Sequence, residues 1–347
     1  MSPIDLDALR EAVPLRDLVA ADCARSRLAT LTVSSGSLGR LAALATWLCG
    51  AQGACPPLAV NRVRVLVFAA EHPPANHATR AGQLSAARLK LLHSADAPVS
   101  VLARQHGASV RVLDVCAQPA TGTGVHADAD QAPPLSATEL DSAFAAGRAV
   151  ADEEVDAGTD LLVASGAGSA GRTTAAVLVA ATLGLEAVDV VGTGAGLDDA
   201  TWATRVGVVR DGVFRARGLG AEPMALLQAV GSADAAALTG FLLQSAVRRT
   251  PVLLDGALPC ACALLARRLA EGAAQWWLAA HRTSDVAQHR ALAALGLEPL
   301  IDLGLDLDDG SGALVALPVL RAAQLLLAQT PTIDALQLTA PVDDDAT

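Results

Sequence analysis

The chain has 347 residues, of which 52% are hydrophobic, and a formal net charge of −11 at pH 7. This acidic balance argues against a nucleic-acid partner, which would require a basic patch. No uninterrupted apolar run reaches the roughly 18–20 residues of a membrane span, and the N-terminal residues lack the basic and apolar regions of a secretory signal. We therefore expect a cytoplasmic protein with no membrane partner.

The cysteine spacing indicates free thiols. The six cysteines include no C-x-x-C pair, and Cys260-x-Cys262 is too closely spaced for a zinc knuckle. We expect reduced, mostly buried thiols, no metal site and no cofactor.

The N-terminal third alternates helical and strand-like segments. Residues 1–30 favour two short helices, and a glycine turn at 36–40 leads into a third. Residues 63–70 (VRVLVFAA) and 110–115 (VRVLDV) are typical of buried strands, with helical segments within 84–106 between them. His72 follows the first strand. A lone histidine there is more often a loop residue than a catalytic one, but its position makes it a candidate.

A long loop is predicted next. Residues 118–134 are rich in Gly, Pro, Thr and Asp without periodicity, as in a flap or a domain junction. Ser136 and Glu139 have the spacing of a capping box, and the helix behind them is expected to end near Gly158.

A third strand, residues 160–164, runs into a glycine-rich turn at 165–174 and then a helix. Glycines between a strand and a helix make an anion cradle, because free N–H groups and the helix dipole both face the turn. Two alternatives stay open. One is a dinucleotide fingerprint formed by Gly166, Gly168 and Gly171, with Glu186 or Asp189 as its acid; the other is a tight turn without a ligand.

The same pattern recurs along the rest of the chain. Residues 187–192 are predicted as a fourth strand leading to a glycine turn at 193–199, and residues 235–249 as an amphipathic helix. Residues 251–256 and 275–280 are predicted as the fifth and sixth strands, the fifth with Asp255 at its end.

The last such segment is the most acidic. In residues 301–313 (IDLGLDLDDGSGA), apolar residues alternate with Asp or Gly and then give way to Asp308, Asp309 and a glycine turn, before a helical run from Pro318. A surface turn whose aspartates cap the next segment is the simpler interpretation. The recurrence of glycine-rich turns after apolar runs along the chain favours a ligand site instead.

Strands that alternate with helices predict an α/β fold with a parallel sheet wrapped by helices. In such folds ligands bind at the carboxyl ends of the strands. The expected site therefore lies where the glycine turns and acidic residues follow the strands.

A set of short motifs occurs together over nearly the whole length: residues 36–41, 68–69 with His72, 151–154, 171–174, 194–199, 253–256, 281–282, 294–299 and 310–313. Their combination resembles the nicotinate-nucleotide:dimethylbenzimidazole phosphoribosyltransferases, in particular the actinobacterial type. The resemblance implies a Rossmann-like parallel sheet with a small helical domain built from both termini, here about 1–58 and 314–347, around an α/β domain at 59–313. It also implies a homodimer.

The activity implied by the resemblance is phosphoribosyl transfer in cobalamin nucleotide-loop assembly. An azole nitrogen attacks the anomeric carbon of nicotinate mononucleotide, nicotinate leaves, and an α-riboside phosphate forms. Asp309 stands at the position of the family's glutamate base. The substrate-binding residues expected from the resemblance are His72, Gly171, Arg172, Thr173, Thr174, Gly194, Gly196, Arg205, Asp255, Gly310, Ser311 and Gly312.

Several positions depart from the family pattern. Asp309 is one methylene shorter than glutamate, about 1.5 Å, and a misplacement of about 1 Å can cost about 100-fold in rate. Ala167 replaces an acid, Arg172 an asparagine and Arg205 a lysine. The remaining departures are residues 70–73, the acceptor segment 80–83 with Gly82, residues 95–100, and Gln288 in place of a histidine.

Three functions stay open from the sequence. The first is the family reaction with dimethylbenzimidazole. The second is transfer to another azole or a phenol, with or without a second subunit. The third is a nucleotide-binding protein without catalysis. The altered acceptor segment favours the second or third function over the first, whereas His72, Asp255 and Asp309 favour an enzyme.

Overall fold

The computed structural model describes residues 5–34, 36–70, 87, 90–115, 135–168, 171–192 and 198–336. The chain divides into two compact units: unit 1 contains Met1–Pro14 and Asn61–Ala316, and unit 2 contains Leu15–Val60 and Leu317–Thr347. The domain bounds given above stay a prediction.

Unit 1 is built on a parallel sheet. Its strands are β1 (Val63–Ala70), β2 (Ser109–Asp114), β3 (Leu161–Gly168), β4 (Val252–Leu254) and β5 (Trp277–Ala279), in the order β2-β1-β3-β4-β5. All neighbouring pairs are parallel. Two further short strands, β6 (His281–Arg282) and β7 (Ile301–Asp302), form a separate parallel pair. The predicted α/β class is confirmed.

Helices separate the strands, as parallel pairing requires. In unit 1 they are α1 (Leu6–Ala12), α4 (Pro98–His106), α5 (Ala137–Asp156), α6 (Gly171–Leu183), α7 (Asp199–Arg215), α8 (Pro223–Val230), α9 (Ala233–Val247), α10 (Ala257–Leu269) and α11 (Val286–Leu295). The backbones of α5 and α9 approach closely at two glycines: a Cβ on Gly147 would lie 1.8 Å from the Ala237 carbonyl oxygen, and one on Gly240 would lie 2.2 Å from that of Phe144.

Unit 2 contains α2 (Leu18–Thr30), α3 (Arg40–Gln52) and most of α12 (Ser311–Gln329), which begins in unit 1. The Arg27 side chain donates to the Leu327 carbonyl at 2.7 Å. By length and composition alone α12 could cross a membrane. Because 56% of its most apolar window is buried inside the protein, it is better explained as a core helix.

Most predicted elements are present. The predicted strands at 63–70, 110–115, 160–164, 251–256 and 275–280 correspond to β1–β5, and the capping box of Ser136 and Glu139 is formed. Glu271–Trp276 form a 3₁₀ helix, so β5 begins only at Trp277. The loop predicted at 118–134 lies outside the described residues.

Three predictions about local structure are wrong. Residues 187–192 are not a strand: Ala187–Asp189 form a 3₁₀ helix, because Asp189 accepts from the Glu186 N–H and closes a turn. The glycine turn predicted at 165–174 is wrong at both ends. β3 continues through Gly166 and Gly168, which pair with Phe68 and Ala70, and Gly171–Thr174 lie in α6.

The third wrong prediction concerns α12, which begins at Ser311 and not at Pro318. A further difference is in α9, which is buried on nearly every side instead of amphipathic, because it packs against both α5 and α10.

Candidate active site

A buried acid–histidine pair follows the carboxyl ends of β4 and β5. Asp255 comes directly after β4, and His281 begins β6, two residues beyond β5. One carboxylate oxygen of Asp255 lies 3.1 Å from the His281 Nδ1, and the other accepts from the Ala313 N–H at 3.1 Å. Both side chains are only 2–3% exposed. The pair thus connects two strand ends to the first turn of α12.

The Asp309–Gly312 turn lies directly against this pair. A Cβ on Gly312 would lie 2.5 Å from the His281 Nδ1 and 2.6 Å from an Asp255 oxygen, so only glycine fits there. Gly310 has φ 94°, which favours glycine, and its Cα faces Val65 of β1. The Asp309 side chain is buried, and its Oδ1 accepts from the Ser311 N–H at 2.9 Å.

Arg172, in the first turn of α6, contacts the segment just before this turn. Its guanidinium lies 2.7 Å from the Asp306 carboxylate and 2.5 Å from that of Asp308, and it also donates to the Asp306 carbonyl at 3.1 Å. Two carboxylates thus neutralise the cation predicted to bind substrate. The contacts fix residues 306–308 to the start of α6.

Asp308 is an electrostatically unusual residue. It has φ 53°, a conformation uncommon outside glycine. Burial raises the pKa of its carboxyl to about 6; Arg172 opposes this shift, whereas Asp306 and Asp285 add to it. A carboxyl with such a pKa exchanges a proton close to neutral pH.

Several polar atoms around the site are buried without a hydrogen-bond partner among the described residues, and they include Thr174 Oγ1, Ser311 Oγ and His281 Nε2. Thr174 lies in the first turn of α6 and Ser311 begins α12. A buried polar atom without a partner costs about 1–3 kcal/mol, a cost that a bound polar ligand would remove. Helix N-termini favour anions, so the start of α6 suits a phosphorylated ligand, whereas N–H groups in the first turn of α12 already donate to buried carboxylates.

Arg205 on α7 lies 3.6 Å from Asp285, whose Oδ1 accepts from the Ala287 N–H at the start of α11. Gln288, which stands in place of the expected histidine, is also buried. Its amide accepts from the Thr283 N–H at 2.7 Å and donates to the His281 carbonyl at 3.0 Å. Gln288 therefore has a structural role in the segment that holds His281.

The structure brings several predicted residues together and leaves others undescribed. Arg172, Asp255, Asp309, Gly310, Ser311 and Gly312 meet at the carboxyl edge of the sheet, with Gly171, Thr173 and Thr174 in the first turn of α6. Predicted residues outside the described part of the chain are His72, Gly194, Gly196 and the acceptor segment 80–83.

A surface cavity of about 230 Å³ lies at the opposite, amino edge of the sheet, where it is lined by residues such as Arg62, Ser109 and Thr159. Parallel α/β folds bind ligands at the carboxyl edge instead, and the buried unpartnered atoms described above surround the residues at that edge. We therefore assign the candidate site to the carboxyl edge.

Comparisons with known proteins identify the family of this chain. A family model described as a phosphoribosyltransferase matches residues 13–336. The nicotinate-nucleotide–dimethylbenzimidazole phosphoribosyltransferase of Mycolicibacterium paratuberculosis is 45% identical over 323 residues, which cover 90% of this chain and 93% of the relative. The chain belongs to the nicotinate-nucleotide–dimethylbenzimidazole phosphoribosyltransferase family.

Other members of this family give the same result. The Mycobacterium tuberculosis enzyme of this name is 43% identical, covering 94% of this chain and 96% of that one. The crystal structure of CobT from Thermus thermophilus superposes with a TM-score of 0.82 at 30% identity, covering 93% of this chain and all of that one. The family resemblance inferred from the motifs is confirmed, and with it the enzyme class.

The sequence did not single out two parts of the site. His281 was noted only as part of a family motif, although it directly follows a strand, as Asp255 does. Asp306 and Asp308 were visible as acids near a glycine turn, but their pairing with Arg172 joins residues 134 and 136 positions apart. Sequence spacing does not reveal such contacts.

Proposed function

We propose that this protein transfers the phosphoribosyl group of nicotinate mononucleotide to 5,6-dimethylbenzimidazole, giving α-ribazole 5′-phosphate and nicotinate for cobalamin nucleotide-loop assembly. One azole nitrogen attacks the anomeric carbon. The bond to the pyridinium nitrogen breaks, and its electron pair stays with nicotinate. The second azole nitrogen loses its proton to a carboxylate of the enzyme.

The observation that carries the proposal is the chain's 43–45% identity to enzymes of this name over 90% or more of its length. The site geometry supports it. The N-terminus of α6 provides N–H groups for a phosphate, and the unpartnered hydroxyls of Thr174 and Ser311, both fully buried, are available to ribose or phosphate oxygens.

Asp309 is proposed as the proton acceptor. Its hydrogen bond from the Ser311 N–H fixes the carboxylate at the start of α12, beside the glycines that let a ligand approach the backbone. A general base has to lie within about 2.6–3.2 Å of the proton donor in the complex. An aspartate here therefore requires the azole to sit about 1.5 Å deeper than a glutamate would.

Arg172 is proposed to act in the same site. Its two ion pairs hold the segment that leads into Asp309. A substrate phosphate that contacts this guanidinium has to compete with Asp306 and Asp308. Gly171, Thr173, Arg205, Asp255, Gly310 and Gly312, together with His72, Gly194 and Gly196, complete the proposed substrate-binding set.

The test is a chromatographic assay of purified protein with nicotinate mononucleotide and dimethylbenzimidazole, beside Asp309→Ala and Asp309→Asn. Turnover by the wild type, with a loss of at least about 100-fold in both variants, supports the proposal. Mononucleotide binding without turnover would contradict the choice of acceptor, and a screen of other azoles and phenols would follow. Absence of mononucleotide binding would contradict the proposal as a whole.

We further propose that the protein is a cytoplasmic homodimer, with unit 2 as the small helical domain. Supporting evidence on unit 2 is the exposure of large apolar side chains at Leu15, Leu18 and Val19, since contiguous exposed apolar patches mark interaction sites. Light scattering after size-exclusion chromatography should give twice the 35.0 kDa chain mass; a monomer at micromolar concentration would contradict this.

A further inference from the structure

His281 has a hydrogen-bonding capacity that the contacts described so far do not use. Its Nδ1 lies 3.1 Å from the Asp255 carboxylate, and its Nε2 is buried without a hydrogen-bond partner in the described part of the chain. The ring itself is 2% exposed. Water from bulk solvent therefore does not replace the missing partner.

The surrounding contacts fix both the position and the tautomer of this ring. Asp255 uses both carboxylate oxygens as acceptors, one for the ring and one for the Ala313 N–H. The proton between the two side chains is therefore on Nδ1, and in the neutral ring Nε2 is an acceptor. Gln288 holds the His281 carbonyl, and Gly312 lies against the ring.

We propose that His281 is a substrate-binding residue whose Nε2 accepts a hydrogen bond from an O–H or N–H group of the bound substrate, with Asp255 fixing the tautomer. A lone pair at Nε2 does not bind phosphate or carboxylate oxygens, which are acceptors themselves. Two donors remain in the proposed substrates: a ribose hydroxyl of the mononucleotide, and the single azole N–H, for which His281 would replace Asp309 as the acceptor. This inference rests on the proposed function.

The decisive variant is Asp255→Asn. An asparagine keeps the side-chain volume; its carbonyl oxygen still accepts from Ala313, and its NH₂ group donates to Nδ1. The packing is therefore retained, but the ring proton moves to Nε2, which becomes a donor. The same logic explains why an amide in place of the aspartate of a serine-protease triad inactivates those enzymes. We expect an unchanged melting temperature and a loss of at least about tenfold in kcat/KM.

His281→Asn gives an independent second variant. The asparagine amide can occupy the place of Nδ1–H and keep the bond to Asp255, whereas no atom replaces Nε2. We expect the same loss of kcat/KM. If this variant fails to fold, Asp255→Asn decides alone. Wild-type kcat/KM in any folded variant of the pair would overturn the proposal, since a purely structural pair tolerates both changes.

Calorimetric binding of nicotinate mononucleotide, without azole, separates the two donors. Weaker mononucleotide binding by Asp255→Asn identifies a ribose hydroxyl. Unchanged mononucleotide binding with a raised KM for the azole, or weaker azole binding, identifies the azole N–H. If the wild type binds both ligands without turnover, the proposed reaction fails, but the affinities of Asp255→Asn still test the role of His281. Unchanged affinities of this variant for both ligands would overturn the proposal about His281.

Discussion

The Arg172 guanidinium and the Asp308 carboxylate lie 2.5 Å apart, although 136 residues separate them in the chain. The contact joins the start of α6 to the segment that leads into Asp309. It also places a cation beside a carboxyl group whose pKa is raised by burial and lowered by Arg172. Much of the site's stability and pH dependence should therefore depend on this pair.

Removing Arg172 should destabilise the protein. Arg172→Ala leaves Asp306 and Asp308 without their cation. Because the three side chains are 17–29% exposed, the cost should be smaller than the 3–5 kcal/mol of a fully buried pair, at about 1–3 kcal/mol. Urea unfolding at pH 7 measures it. The control is Arg210→Ala, whose side chain is 71% exposed and should cost less than about 0.5 kcal/mol. Equal losses of unfolding free energy in the two variants would contradict a stabilising role for the Arg172 ion pairs.

Asp308 should make stability fall as pH rises. Its pKa in the folded protein is raised from 3.8 to about 6, mainly by burial, so between these values the folded state holds a proton that the unfolded chain has released. Unfolding free energy then decreases with rising pH across this window, by up to about 3 kcal/mol. Asp308→Asn abolishes this contribution, so its stability relative to wild type should increase from pH 4 to pH 7.

The control for this prediction is Asp302→Asn, whose carboxylate is largely exposed. Its stability should follow the wild-type pH dependence. If the curves of Asp308→Asn and wild type are parallel between pH 4 and pH 7, Asp308 does not titrate as proposed.

Gly312→Ala should damage activity more than folding. The added Cβ would lie 2.5 Å from the His281 ring, so the turn that carries Asp309 has to shift, and a displacement near 1 Å can cost about 100-fold in kcat/KM. Gly207→Ala on α7 is the matched control, since its Cβ would meet nothing within 4 Å. It should keep full activity and gain about 0.5–1 kcal/mol of stability. Equal activity in the two variants would contradict the proposed geometry.

Thr174→Val should separate binding from stability. Its buried hydroxyl has no partner in the described residues, so its removal should leave the melting temperature unchanged or raise it. If a substrate uses the hydroxyl, kcat/KM for the mononucleotide should fall by about tenfold. In the control, Thr239→Val, the lost hydroxyl donates to the Ala235 carbonyl at 2.7 Å. This variant should lose about 1 kcal/mol of stability but no activity. A lower melting temperature with unchanged kcat/KM in Thr174→Val would exclude Thr174 from the site.

The sequence predicted the sheet well where burial alone determines the strand. Residues 63–70 are apolar except for Arg64 and become β1 with the same bounds. At residues 187–192 the same reasoning failed, because Asp189 bonds back to the Glu186 N–H and turns the backbone into a 3₁₀ helix. A short apolar run does not distinguish these outcomes.

Glycine and proline were the other sources of error. Gly166 and Gly168 suggest a turn, but pairing with β1 extends the strand through both. Pro318 suggests a helix start, but α12 begins seven residues earlier, at Ser311. There the Asp309 carboxylate accepts a hydrogen bond from the Ser311 N–H. Tertiary contacts decide both cases, and the same holds for His281, whose partner Asp255 is 26 residues away.

Phosphoribosyl transfer is distinguished from hydrolysis by the product balance of the wild-type enzyme. Nicotinate mononucleotide is incubated with and without dimethylbenzimidazole, and nicotinate and α-ribazole 5′-phosphate are quantified together. For transfer we expect equal amounts of both products and no nicotinate release without the azole. Nicotinate release that is independent of the azole, without riboside formation, would show hydrolysis instead of transfer and would contradict the proposed function.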